Sequence, residues 1–115
     1  MRLKVLNILA YDNYDLILFY DTDNSKNIEI KLINLKETIF KNDCWKDLRD
    51  INLFKQVFVD DFGDGPCWPN DIEMEPISIY YDSILLFECD SIKKNEKIKI
   101  IKNIILTNDE KETYI

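Results

Sequence analysis

The chain has 115 residues, 46% of them hydrophobic and 12% aromatic, with two glycines and three prolines; that is the profile of one packed domain and excludes a disordered or repetitive chain. It contains no histidine, which removes the commonest general base and transition-metal ligand at neutral pH, and with it the Ser-His-Asp and Cys-His mechanisms. The net charge of −7 divides into −9 over residues 1–91 and +2 over residues 92–115, so the field of the acidic body repels phosphate backbones and anionic membranes.

Leu3 to Ala10 alternates apolar and polar residues with a slip at Val5-Leu6, which predicts a strand carrying a bulge. The immediate alternation leaves no uncharged apolar run for a signal peptide or a membrane span, and a cytoplasmic location is expected. Tyr11-Asp12-Asn13-Tyr14 predicts a turn into the apolar run Leu16 to Tyr20, and a second turn over residues 21–25 leads to Asn27 to Ile33. There Ile28, Ile30 and Leu32 alternate with Glu29 and Lys31, as in a strand with one wet face. The three strands form an antiparallel meander.

From Asn34 to Gln56 the period changes. Leu35 and Ile39 are four apart, and Trp45, Leu48 and Ile51 are three apart, which predicts two short helices. Asp43 is placed to cap the second, and Asn52 to cap a further turn containing Phe54. Alternation returns at Val57 and Val59 and again at Ile72 and Met74, predicting strands four and five joined by a loop from Asp61 to Asn70. Ile77 to Glu88 mixes the β-branched residues of a strand with the first-turn proline of a helix, Pro76; a helix is the reading adopted. From Ser91, with Ser91 or Asn95 as cap, Ile98, Ile101 and Ile105 form one stripe and Lys93, Lys97 and Lys102 lie elsewhere. This predicts a basic amphipathic C-terminal helix, frayed over residues 108–115. The expected fold class is α+β: an antiparallel sheet of about five strands packed with helices in a single domain over residues 1–90, followed by the helix and tail over residues 91–115.

Leu53-Phe54-Lys55-Gln56-Val57-Phe58-Val59-Asp60, with Cys67-Trp68-Pro69-Asn70-Asp71-Ile72 after a Gly-rich turn, resembles a bacterial family, domain of unknown function 2442. The likeness covers about residues 3–82; the meander and Asn34-Leu35-Lys36 sit where that family places its hairpins and its D-L-K-like segment. It implies a compact α+β fold, found also as the N-terminal half of proteins similar to nitrogen-fixation accessory helix-turn-helix proteins. It further implies a small stand-alone protein of antitoxin-like role, and it carries no catalytic residue to transfer. The chain departs from the pattern at Asp61-Phe62-Gly63-Asp64-Gly65, which lengthens the turn, and after residue 90, where one helix is offered and a helix-turn-helix needs two.

The densest constellation is Asp60, Asp61, Asp64, Asp71, Glu73 and Glu75, a sixteen-residue stretch without Lys or Arg. Counted as a calcium loop from Asp60, it puts Phe62 at position three and closes on Asp71 rather than Glu, so the spacing fails. Asp61-Phe62-Gly63 spells a kinase signature in a chain too short for a kinase, without the rest of its motifs. Carboxylate pairs such as Asp60 and Glu73 arise by chance among 22 acidic residues, and no base with a tuned pKa is evident. Alternation puts Asp71, Glu73 and Glu75 on one strand face, which reads either as a solvated face or as a strip for a basic partner.

Trp68 either plugs the sheet edge or presents an aromatic anchor. Cys44, Cys67 and Cys89 are too few and too widely spaced for a disulfide framework or a zinc clip, and Cys67 reads as a small buried hydrophobe. The tail lysines neutralise the acidic body, with membrane or nucleic-acid binding as the rival reading. The partner-binding set is therefore Asp60, Asp61, Asp64, Trp68, Asp71, Glu73 and Glu75, with no catalytic residue, metal or cofactor expected. The reading is a non-enzymatic acidic interaction module that binds and neutralises a basic or nucleic-acid-handling protein. Its rivals are a nucleic-acid mimic that inhibits a nuclease or defence system, and a metal- or ligand-binding domain using residues 60–75.

Overall fold

A computed structural model describes residues 3–22, 27–63 and 65–90. Three eight-residue strands open the chain: β1 (Leu3–Ala10), β2 (Asp15–Thr22) and β3 (Asn27–Asn34). β1 and β2 pair antiparallel with a register shift between Val5 and Asn7, the bulge expected from the slip at Val5-Leu6. In the turn between them the Asn13 carboxamide oxygen accepts from the Asp15 amide at 3.1 Å, and Tyr14 takes a φ of 69°.

The helical stretch is tighter than its spacing predicts. After α1 (Lys36–Lys41) comes a 3-10 segment, Asp43–Arg49, and then α2 (Ile51–Phe54). Neither expected cap is used. The Asp43 carboxylate accepts instead from Arg49 Nη2 at 3.2 Å. Asp50 caps α2, accepting from the Asn52 amide at 3.0 Å, because α2 begins at Ile51, two residues earlier than a cap at Asn52 allows.

The single five-stranded sheet is replaced by two antiparallel sheets. β4 (Phe58–Val59), β5 (Pro66–Trp68) and β6 (Ile72–Glu73) form a small one in that order. β5 lies inside the expected loop; three residues opening on a proline show no alternation, and Pro66 is tolerated as the first residue of its strand. The reading of Ile77 to Glu88 as one helix is corrected as well. α3 (Pro76–Asp82) ends at Ser83, whose hydroxyl donates to the Tyr80 carbonyl at 2.7 Å, and β7 (Ile84–Asp90) then pairs antiparallel with β3. The proline and the β-branched run were each truthful about their own half. The larger sheet thus has the order β1-β2-β3-β7.

Because β2 is apolar without interruption from Leu16 to Tyr20, both faces of that sheet must be dry. Leu16, Leu18 and Tyr20 join Val5 and Ile8 on one face, where they meet Leu35, Ile39, Leu48, Phe54, Trp68, Met74 and Ile79 from the helices and the small sheet. Ile17 and Phe19 join Leu9, Tyr11, Ile28 and Ile30 on the other. Each fully buried aliphatic side chain of this kind contributes about 1.5–3 kcal/mol.

This layering corrects the wet face assigned to β3. Lys31 is only 9% exposed, since its face is the one that α3 covers. Its ammonium lies 3.7 Å from the Tyr80 ring centroid and donates to the Tyr80 carbonyl at 2.7 Å. Glu29 accepts from the Tyr80 hydroxyl. Burial pushes Lys31 below the usual lysine pKa, opposed by Glu29. Burial, then Glu29, raise Tyr80 to about 12. The expected C-terminal helix lies outside the described residues. No helix among those described is long and apolar enough to cross a membrane.

Candidate functional site

The small sheet positions the acidic segment. Phe58 pairs with Cys67, and Cys67 with Glu73, so these three lie side by side on one face. Val59, Trp68 and Ile72 alternate onto the inner face against the core. After β4 the chain turns through Asp60 and Asp61: the Gly63 amide donates to the Asp60 carbonyl at 3.0 Å, and the Gly63 carbonyl accepts from the Val5 amide at 2.7 Å. Gly63 has a φ of 70°, a left-handed conformation that disfavours any side chain. The W-P-N segment is the β5–β6 turn, with Asn70 at φ 70° and Asp71 at φ 60°, a conformation that Asn and Asp tolerate better than other residues.

Between this sheet, the 3-10 segment and the start of α3 runs a groove of about 530 Å³. Trp45 forms one wall, Pro66 and Met74 supply apolar lining, and Asp60, Glu73 and Glu75 bring carboxylates. Gly65 admits the closest approach, since a Cβ there would stand 3.0 Å from that of Pro76. A second cavity of about 200 Å³ shares Trp45, Met74 and Glu75.

The structure therefore brings Asp60, Glu73 and Glu75 together and leaves Asp61 and Asp71 exposed outside the lining. Asp61, Asp71 and Glu73 form no ion pair with a described residue; the pairs Lys41–Glu37, Arg49–Asp43 and Lys55–Asp12 lie on other elements. Asp64 lies outside the described residues. Glu75 has a structural task. As N-cap of α3 it accepts from the Ile77 amide at 3.0 Å and the Ser78 amide at 2.6 Å, and these bonds, led by that of Ser78, hold its carboxyl below the usual range.

Trp68 is corrected outright as a partner anchor. It is 1% exposed, its Nε1 donates to the Phe54 carbonyl at 2.8 Å, and its ring stacks 6.0 Å from that of Phe54. Cys67, expected to be buried, is half-buried and lines the groove. Two residues escaped the sequence reading. Trp45, assigned to a helical core stripe, does pack half-buried against the core, but it also forms a wall of the groove. Phe62, in the Asp-Phe-Gly tripeptide, is 83% exposed; an aromatic residue between Asp61 and Gly63 in a turn carries the same sequence signal as Trp68.

No three or more metal-ligating side chains converge among the described residues. What the arrangement can do chemically is hold a cation with an aliphatic stem, the stem against Trp45, Met74 and Pro66 and the charge at the carboxylates. No family model, curated protein or solved structure matches the chain.

Proposed function

We propose that the chain is an acidic protein-interaction module that takes a basic side chain of a partner protein, of the kind found on nucleic-acid-handling surfaces, into the groove between the small sheet and the 3-10 segment. The observation that carries this reading is the groove itself: an apolar lining of Trp45, Met74 and Pro66 beside the carboxylates of Asp60 and Glu73; Asp61 and Asp71, next to its lining residues in sequence, are exposed. Carboxylates of one sign around a low-dielectric cleft focus the field on an incoming cation. Phe62, projecting beside them, is the aromatic anchor of this face. Neutralisation of a partner follows if that groove occupies the partner's working basic residues, which is the antitoxin-like role. Kinship with domain of unknown function 2442 belongs to the same proposal and rests on the residues quoted for it.

The test is capture of partners from lysate of the source cell by the intact chain and by a variant carrying Asp61→Lys, Asp71→Lys and Glu73→Lys. Glu75 is left in place because it caps α3. A stoichiometric basic protein retained by the native chain and lost by a variant of unchanged melting temperature is the expected result. Retention by that variant, or no partner captured by the native chain, would overturn the reading. Displacement of the partner by duplex DNA would identify the groove as a nucleic-acid mimic.

A further inference from the structure

The groove does not end at Glu75. The second cavity, which shares Trp45, Met74 and Glu75 with it, continues between Thr38 of α1 and Asp82 of α3. Glu75, Ser78, Ile79 and Asp82 recur at three- and four-residue intervals, so one side of α3 forms the wall of this extension. Asp60 and Glu73 line the first cavity alone and Asp82 the second alone, while the apolar Trp45 and Met74 are common to both. Among the described residues, no Lys or Arg lines either one.

Asp82 stands against the local electrostatics. It is the last residue of α3, at the end where the backbone carbonyls carry partial negative charge, and the last turn of α3 holds no basic residue. It is exposed and forms no ion pair with a described residue. An acid in that position weakens the helix, and a cation seated in the cavity beside it removes the penalty. This is an observation about α3, independent of the acids on the small sheet, and it asks for the same kind of ligand.

Length selects the ligand. Seven positions of helix separate Glu75 from Asp82, about 10 Å along the axis, and Asp60 and Glu73 lie in the other cavity. An extended chain advances about 3.3 Å per residue with alternating side chains, so residues four apart point the same way at about 13 Å. The side chain midway between them also points that way. We propose, resting on the reading of the groove as a cleft for a basic side chain, that its partner segment is an extended stretch of protein with two basic side chains four residues apart. One is held at Asp60 and Glu73, the other at Asp82, and an apolar side chain between them lies on Trp45 and Met74.

The experiment follows the Trp45 indole N–H resonance of the full chain at low ionic strength during titration with the capped peptide Lys-Ser-Leu-Ser-Lys. Parallel titrations replace either lysine, or the leucine, by alanine, and one uses spermidine. The doubly basic peptide is expected to bind about tenfold or more tighter than either singly basic one. In Asp82→Asn it should fall to their level, with no loss of melting temperature, since that change removes an acid from the negative end of α3. Equal affinities for the doubly and singly basic peptides, with the Trp45 resonance still moving, would overturn this inference and leave the groove reading standing. An unaltered affinity in Asp82→Asn would do the same. Spermidine bound as tightly as the doubly basic peptide, or a leucine replacement without effect, would overturn the choice of a protein segment. A Trp45 resonance that moves with none of the peptides would overturn both readings.

Discussion

Tyr20 and Trp68 show how differently two buried polar aromatic residues are treated. Trp68 spends its one donor on the Phe54 carbonyl, whereas the Tyr20 hydroxyl is buried without a hydrogen-bond partner among the described residues, and burial pushes its pKa upward. An unsatisfied buried hydroxyl costs about 1–3 kcal/mol, so Tyr20→Phe should leave the fold intact and raise stability by about 1 kcal/mol, read from the midpoint of urea unfolding. Trp68→Ala removes both a packed ring and a satisfied donor, and should cost about 3–5 kcal/mol. If the denaturation midpoint of Trp68→Ala scarcely moved, the core assignment would be wrong. Phe62→Ala belongs to the opposite category. The ring is exposed, so the melting temperature should stay within experimental error while affinity for the partner falls by about tenfold or more in a titration.

Among the elements, α3 carries a pH response in its own cap. Its N-cap is the Glu75 carboxylate, stabilised by the Ser78 and Ile77 donors and held below the ordinary value of 4.5. A carboxyl whose folded pKa is depressed contributes stability that is fully present above the unfolded value and is lost as pH falls through the folded one. The melting temperature of Glu75→Gln should therefore lie below that of the native chain at neutral pH, with the gap closing as pH drops below 4.5. A gap independent of pH would exclude the ionised cap. α3 is also tied to β3 through Lys31 and Tyr80, so its loss would loosen the support of the groove at Met74 and Glu75.

At the scale of the molecule, an uneven charge meets a sheet that is dry on both faces. A net charge of −7 destabilises the compact state by self-repulsion, and salt screens it. The melting temperature at neutral pH should consequently rise when sodium chloride is raised from about 0.02 M to about 0.3 M, over which the Debye length falls to under 10 Å. Binding of a basic partner at the groove should weaken over the same range, because there the screened interaction is attractive. Opposite salt responses of folding and of binding would support the proposed acidic interaction surface.

The sequence by itself determined whatever a local period can encode. The meander and its bulge at Val5-Leu6 and the change of period at Asn34 were legible because each repeats within a few residues, whereas the single strand face expected for Asp71, Glu73 and Glu75 does not form: Asp71 lies in a turn and Glu75 caps α3. Tertiary structure alone decided which strand joins which sheet, for pairing joins residues far apart: β3 takes β7, some fifty residues on, and β5 is too short to show a period. It also decided which faces are covered. Alternation placed Lys31 opposite Ile30 without revealing that α3 lies on the lysine side, and it could not tell Trp68, folded against Phe54, from Phe62, left in water. The carboxylates of the groove were visible as a string of acids, but their meeting with Trp45 needed the 3-10 segment and the small sheet brought together, and that was set by packing on the shared core.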